Sequence, residues 1–234
     1  MLVVVDLVNI NIYVSMDTGD NKLENVLKMY IDISQFDYFR FSNEPKNPKR
    51  PELIRSKLIP LLQTASVETR FHLVVNVRGL YKLTVLHQVA RYSDLEITRY
   101  LLDGISSAQK YDLLKTQLSD GSTPLHFAAY CGKSSMITYL MTDRLCHQNY
   151  EILKIQDDNE DTALHMAAYQ KNLGVAEAIL SAVSIELQVQ LLNIKNKKGQ
   201  TATDVCPEIA VVPNQGNSKI LPVLSLELCC ANFN

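Results

Sequence analysis

Apolar and polar positions alternate in this chain with a period of 39 residues. One slot reads Thr84-Val-Leu-His87-Gln-Val-Ala90, Thr123-Pro-Leu-His126-Phe-Ala-Ala129, Thr162-Ala-Leu-His165-Met-Ala-Ala168 and Thr201-Ala-Thr-Asp204-Val-Cys206, with each Thr 39 residues from the last. A fixed period in this range marks a solenoid. Further along each unit a pair at i, i+4 recurs: Ile97 and Leu101, Met136 and Leu140, Val175 and Ile179. That spacing lays both side chains on one helix face. A third apolar block precedes each of the last three threonines: Tyr111-Asp-Leu113-Leu114-Lys115, Tyr150-Glu-Ile152-Leu153-Lys154 and Val189-Gln-Leu191-Leu192-Asn193. One period earlier, Leu58 and Leu62 fill the second block, so a degenerate leading unit is expected from about residue 45.

The polar joints carry consistent chemistry. Thr before Pro or Ala suits a helix N-cap, where its hydroxyl accepts an otherwise unpaired amide hydrogen. Pro124 sits where its missing N–H costs nothing. Ala90, Ala128-Ala129 and Ala167-Ala168 let helices approach closely. Gly121 and Gly199 stand in the turn before the Thr, where a positive φ is expected, and Gly132 stands where a C-cap is expected.

Asp120-Gly-Ser-Thr-Pro-Leu-His-Phe-Ala-Ala129 resembles the signature of the ankyrin repeat, whose key part is Thr-Pro-Leu-His-x-Ala. The resemblance spans about residues 45–206. It implies an all-α fold, an ankyrin-type α-solenoid of stacked helix-turn-helix units with short β-turn fingers. The units are expected at about 45–78 (degenerate), 79–117, 118–156, 157–195 and 196–206 (partial), with an unclassified segment or cap over 1–44 and a tail over 207–234. Ankyrin units run about 33 residues, so each unit here carries an insertion. Counting places it near Ile105–Lys110, Arg144–Asn149 and Val183–Gln188, where an extra short helix docked by Tyr111/Leu114 and Tyr150/Leu153 is expected. Lys82 and Glu160 replace the turn glycine, and Ser93 and Lys171 replace the cap glycine. If φ is positive there, each costs up to about 1 kcal/mol, leaving the first and third units looser than the second.

Outside the repeat, Val3, Val5 and Leu7, then Ile10, Ile12 and Val14, alternate as a strand would. Residues 21–31 could form an amphipathic helix through Leu23, Val26, Leu27 and Tyr30, and Phe36, Tyr38, Phe39 and Phe41 form an aromatic cluster. The expected role of residues 1–44 is to shield the first helix pair, since a solenoid's ends need covering; a piece of another domain is the alternative. Asn43–Pro51 reads as a linker and Ile209–Lys219 as a loop. Ile220–Leu228 is apolar and could pack as a C-terminal cap; an acylated anchor at Cys229-Cys230 is the alternative.

Composition narrows the function. Of the 234 residues 47% are hydrophobic and the net charge is −2. Nucleic-acid modules carry a clear basic excess, so no nucleic-acid partner is expected. Five cysteines without Cys-x-x-Cys spacing fit reduced thiols in a cytoplasmic or nuclear protein rather than a secreted disulfide framework. The apolar start lacks the basic flank and cleavage site of a signal peptide, and no apolar run suffices for a membrane span. No cofactor is expected, nor a metal: Cys131, Cys146 and His147 fall short of a four-ligand set. Asp157–Asp161 lacks the ligand spacing of a calcium loop. No catalytic motif is present.

The expected function is therefore protein–protein recognition by a monomeric scaffold, through the concave helix groove and the finger tips. The resemblance implies that His87, His126 and His165 are structural, with rings bonded to neighbouring backbone, and it makes Thr84, Thr123, Pro124, Thr162 and Thr201 the repeat's structural signature. It places Arg91, Tyr130 and Tyr169 in one slot facing the groove; burial in the core is the alternative for the two tyrosines. Tyr81, Leu83, Tyr92, Ser122, Asp161, Gln170 and Gln200 fall in neighbouring contact slots. Asp158 and Asn159 on an acidic tip, and Lys197 and Lys198 on the next, basic tip, complete the expected partner surface. Asn76 and Asn193 match a finger-base Asn that some ankyrin proteins present for hydroxylation. A regulatory segment of a larger channel or signalling protein is the alternative reading, and an enzyme with a site in residues 1–44 is a third.

Overall fold

The computed structural model describes residues 2–6, 11–15, 23–28, 49–78, 82–92, 94–142 and 144–211. They divide between two compact units: one spans Met1–Val89 with Asp94–Leu113, the other Ala90–Ser93 with Leu114–Asn234. This division falls inside the repeat array rather than at its expected ends.

The first unit opens with β1 (Leu2–Asp6) and β2 (Asn11–Ser15), an antiparallel ribbon in the register Leu2↔Ser15 to Asp6↔Asn11. The strands add a small β element to the otherwise all-α architecture. Helix α1 (residues 23–28) follows, burying Leu23, Val26 and Leu27 from the expected amphipathic stretch. Tyr30 and the aromatic cluster at 36–41 lie outside the described residues. Next come α2 (Lys49–Thr64), α3 (Val67–Asn76), α4 (Val85–Tyr92), α5 (Leu95–Leu102) and α6 (Ser107–Leu114). Helix α5 packs on α2 and α3. Buried Leu58 and Leu62 on α2 occupy the slots of Ile97 and Leu101 on α5, as the register requires.

One expectation is corrected here. The linker ends sooner than Pro51: α2 already begins at Lys49, because a proline in a helix's first turn forgoes an N–H that has no helical partner. In the leading unit Arg50 and Pro51 stand where the later units carry Ala-Ala, and one 16-residue helix, α2, runs through the positions of their first two helices.

In the second unit the period becomes three columns of helices. Helix α7 (Pro124–Tyr130) packs on α10 (Ala163–Tyr169), and α10 on α13 (Ala202–Val205). Helix α8 (Ser134–Met141) packs on α11 (Leu173–Ser181), and α9 (Cys146–Leu153) on α12 (Ile185–Leu192). Ala128, Ala129, Ala167 and Ala168 are fully buried, so the first column closes on small side chains. The six-residue insertion is the third column. Leu114 and Leu153 dock it as expected, while Tyr111 and Tyr150 are only half-buried.

A buried amide holds the third column as well. Asn149 Nδ2 donates to the carbonyls of Met141 (3.1 Å) and Ala182 (2.9 Å), and Gln188, one period on, donates to Leu180 (2.8 Å). These carbonyls sit at the ends of second-column helices, where no helical amide is left to satisfy them. After α13 the chain makes a 3-10 turn, Pro207–Val211, against α11 and α13 with Ile209 buried. The first residues of the expected loop are thus ordered by packing.

The positive φ values fall at the expected substitutions. Lys82 has φ 64°, Glu160 58° and Lys171 51°, alongside Gly121 (77°), Gly132 (70°) and Gly199 (73°). Ser93 lies outside the described residues.

Candidate functional site

The site is built on a scaffold of histidines and finger turns. In α7, His126 Nδ1 accepts the Thr123 amide (3.1 Å) and stands 2.8 Å from its hydroxyl. With Nδ1 accepting, Nε2 carries the proton and donates to the Asp161 carbonyl (3.0 Å) in the next finger. His165 repeats this with Thr162 and reaches Gln200 O at 3.0 Å. In the partial last unit, Asp204 takes the inner bonds from the Thr201 amide (2.7 Å) and hydroxyl (2.8 Å), and it has no second nitrogen to reach onward. His87 meets Thr84 in the same way, at 2.8 Å. Burial pushes the His126 pKa below its ordinary value, only partly offset by the Asp161 carbonyl and nearby carboxylates.

The fingers stack backbone to backbone. Asp158 N donates to Asp120 O (2.9 Å), and Lys197 N, one period on, to Asn159 O (2.9 Å). Two glutamines 39 residues apart add a ladder that the sequence pattern did not single out. Gln117 Nε2 donates to Gly121 O (2.8 Å) in its own finger and Gln156 O (3.4 Å) beyond, and Gln156 donates to Glu160 O and to Lys195 O at 3.0 Å. Asp157 and Asn196 close their turns by accepting two amides each.

On this scaffold Arg91, Tyr130 and Tyr169 occupy the ends of α4, α7 and α10. Tyr130 and Tyr169 are each 39% exposed, against a first column that is otherwise closed by alanines. Arg91 is half-buried, with its guanidinium 5.8 Å from the Tyr92 ring centroid. It also faces the half-buried Cys131 thiol, whose pKa burial raises while Arg91 works against that rise. The two tyrosines differ in their hydroxyls. Tyr169 OH donates to Asp161 Oδ1 (3.1 Å), and Asn196 Nδ2 donates to both Tyr169 OH (2.9 Å) and Asp161 Oδ1 (2.9 Å). Burial raises the Tyr169 pKa, and the Asp161 carboxylate adds to it. In the slots one period earlier stand Ser122 and Asp157, and among the described residues no hydrogen bond holds the Tyr130 hydroxyl.

Burial sorts the remaining expected contact residues. Leu83, Ser122 and Asp161 are buried at 6%, 7% and 6% exposure, so they leave the contact set as supports. Leu83 lies against the core beside its turn, Ser122 O closes the finger by accepting Leu118 N, and Asp161 anchors the Tyr169 network. Tyr92 and Gln200 are half-buried; Gln170, Asp158, Asn159, Lys197 and Lys198 are exposed; Tyr81 lies outside the described residues. The acidic and basic tips touch, with Lys197 Nζ 3.5 Å from Asp158 O. Asn76 spends its side-chain amide on His72 O at 2.9 Å, and Asn193 caps α12. Among the described residues no cluster of three His, Cys, Asp or Glu is placed to hold a metal, and no helix is long and apolar enough to cross a membrane.

A family model described as ankyrin repeats, in three copies, matches residues 57–150 and 86–190, more than half of the chain. No curated protein matches it.

Proposed function

The chain belongs to the ankyrin-repeat family, and from that premise we propose that it binds a partner protein across the Arg91, Tyr130 and Tyr169 row and the two charged tips. Ankyrin repeats are generally protein–protein interaction modules. The observation that carries the finer reading is the exposure of Tyr130. A large aromatic side chain stands 39% exposed on a column otherwise shut by alanines, in the same slot as Tyr169 and an Arg. Tyr and Arg are enriched among the residues that dominate interface energetics. The fingers and the histidine links hold this row in place before binding, so little ordering entropy is lost on association. The role is non-catalytic: the buried histidines and carboxylates are spent on backbone and on one another.

Quantitative affinity capture from native lysate tests this, comparing the parent with Tyr130→Ala and Arg91→Ala. A protein retained by the parent and reduced at least about tenfold by either variant supports the row, since the loss of one such anchor costs about 2 kcal/mol or more. Equal retention by folded variants places the interface elsewhere.

A further inference from the structure

We propose that the partner seats one basic side chain, Arg or Lys, against the Tyr130 ring and the Asp157 carboxylate; this rests on the recognition surface proposed above and names what it recognises. The chain holds the same three-residue arrangement twice, one period apart, and only one copy is closed. In the closed copy Asn196 Oδ1 accepts the amides of Lys198 and Gln200, both at 3.0 Å, which closes the turn. Its other atom, Nδ2, donates to Asp161 Oδ1 and to Tyr169 OH, both at 2.9 Å. One amide, one carboxylate and one hydroxyl satisfy one another there.

One period earlier the three slots hold Asp157, Ser122 and Tyr130. Asp157 Oδ1 repeats the turn closure, accepting the amides of Asn159 (2.8 Å) and Asp161 (2.9 Å). Asp157 Oδ2 stands where Asn196 has its donor, and a carboxylate oxygen has no proton to give. Among the described residues neither Oδ2 nor the Tyr130 hydroxyl has a hydrogen-bond partner. Asp157 is half-buried, and Tyr130 is 39% exposed, as Tyr169 is. Exchanging Asn for Asp turns a donor into a charged acceptor, so the group that completes this copy has to donate. The surroundings favour one that is positive. The carboxylates of Asp120, Asp157 and Asp161 all act on buried His126, and Asp157 and Asp161 act on Tyr169. Asp158 and Glu160 are exposed on the same finger, and Lys197 approaches it at the Asp158 carbonyl. A basic side chain at Tyr130 gains the ring face and a charge-assisted hydrogen bond together. The closed copy offers no such place, since Asp161 is 6% exposed and already accepts from two donors. Arg91 fills the slot before Tyr130, so the cation is confined to one register.

A displayed library of random peptides, selected on the full chain, supplies the probes. Each enriched peptide is measured against the parent, Tyr130→Ala and Asp157→Asn. Asn196 shows that an amide closes this turn as a carboxylate does, so Asp157→Asn removes the charge and keeps the turn. The enriched peptides are expected to share one Arg or Lys. Its exchange for Gln is expected to weaken binding to the parent about tenfold or more, the size of a hydrogen bond to a charged group. The same exchange is expected to stay within about twofold on Asp157→Asn, since the two groups are coupled. A basic residue whose loss costs both proteins alike sits elsewhere and overturns the proposal. Asp158→Asn and Glu160→Gln are the controls: if either matches the loss from Asp157→Asn, binding answers to the general charge of the finger, and the proposal falls. Peptides weakened by Tyr130→Ala but indifferent to both exchanges overturn the cation and leave the aromatic row standing. Peptides indifferent to Tyr130→Ala remove the row itself, and the proposal with it. A library that yields no binder to the parent also overturns it, because the site is open and held in place before binding.

Discussion

His126 Nε2 lies 3.0 Å from the carbonyl oxygen of Asp161, 35 residues further along the chain. This bond runs from a helix of one unit to the finger of the next, and its inner partner is the Thr123 amide on Nδ1. A neutral ring satisfies both; a doubly protonated ring loses the second. The folded pKa is lowered by burial, so the unfolded state takes up a proton at a pH where the folded state does not. The contribution is complete above the unfolded value of about 6.5 and is lost as pH falls from there toward the folded pKa. Denaturant midpoints are expected to be flat from pH 8 to 7 and to fall from 6.5 to 5.5. His126→Gln, which cannot gain that proton, is expected to flatten the fall. A variant with the parent's slope assigns it to other groups.

Glu160 holds φ 58° at the place where Gly121 and Gly199 hold 77° and 73°. Glu160→Gly is expected to raise stability by up to about 1 kcal/mol by relieving left-handed strain, read as a higher denaturant midpoint at unchanged slope. The reverse change is expected to cost more at Gly121. An added Cβ there would meet the Asp157 backbone at 3.0 Å as well as the unfavourable φ, whereas at Gly199 nothing lies within 4 Å. Gly121→Ala is thus expected to lower the midpoint more than Gly199→Ala.

The paired tyrosines separate support from contact. Tyr169→Phe removes a donor from the buried Asp161 carboxylate, and is expected to cost about 1–3 kcal/mol. Tyr130→Phe is expected to stay within about 0.5 kcal/mol, as an ordinary surface change does. Thermal melts of the two variants read the difference. Equal losses would mean that Tyr130 also anchors the scaffold.

The third column depends on one amide. Asn149→Ala strands the carbonyls of Met141 and Ala182, and a loss of about 1–3 kcal/mol is expected. Amide exchange is expected to quicken first in α9 and around Ala182.

The period was legible because each unit repeats the same contacts: the threonine caps, the buried histidines and the alanine column all follow from identity at 39-residue spacing. The third helix was placed from the length of the insertion and the apolar block that follows it. Its start also carried a local signal, Ser106-Ser-Ala-Gln109, in which Gln109 Oε1 accepts the Ser106 amide at 3.2 Å and Ser106 Oγ the Gln109 amide at 3.3 Å. The strained turns were legible because Lys82, Glu160 and Lys171 stand where sister units carry glycine. Burial within the finger was not. Ser122 and Asp161 are polar and sit in slots that elsewhere face partners, so only the geometry reveals that one closes the turn and the other binds Tyr169 and Asn196. The glutamine ladder at Gln117 and Gln156 was hidden for a related reason: it ends at Lys195, so the identity breaks after two units.

Amide hydrogen exchange of the full chain, with and without the captured partner, tests the recognition surface most directly. The account expects slowed exchange at the ends of α7 and α10, around Tyr130 and Tyr169, and at the 157–161 and 196–199 tips, with α9 and α12 unchanged. Slowed exchange along α9 and α12, with that row unaffected, would contradict it.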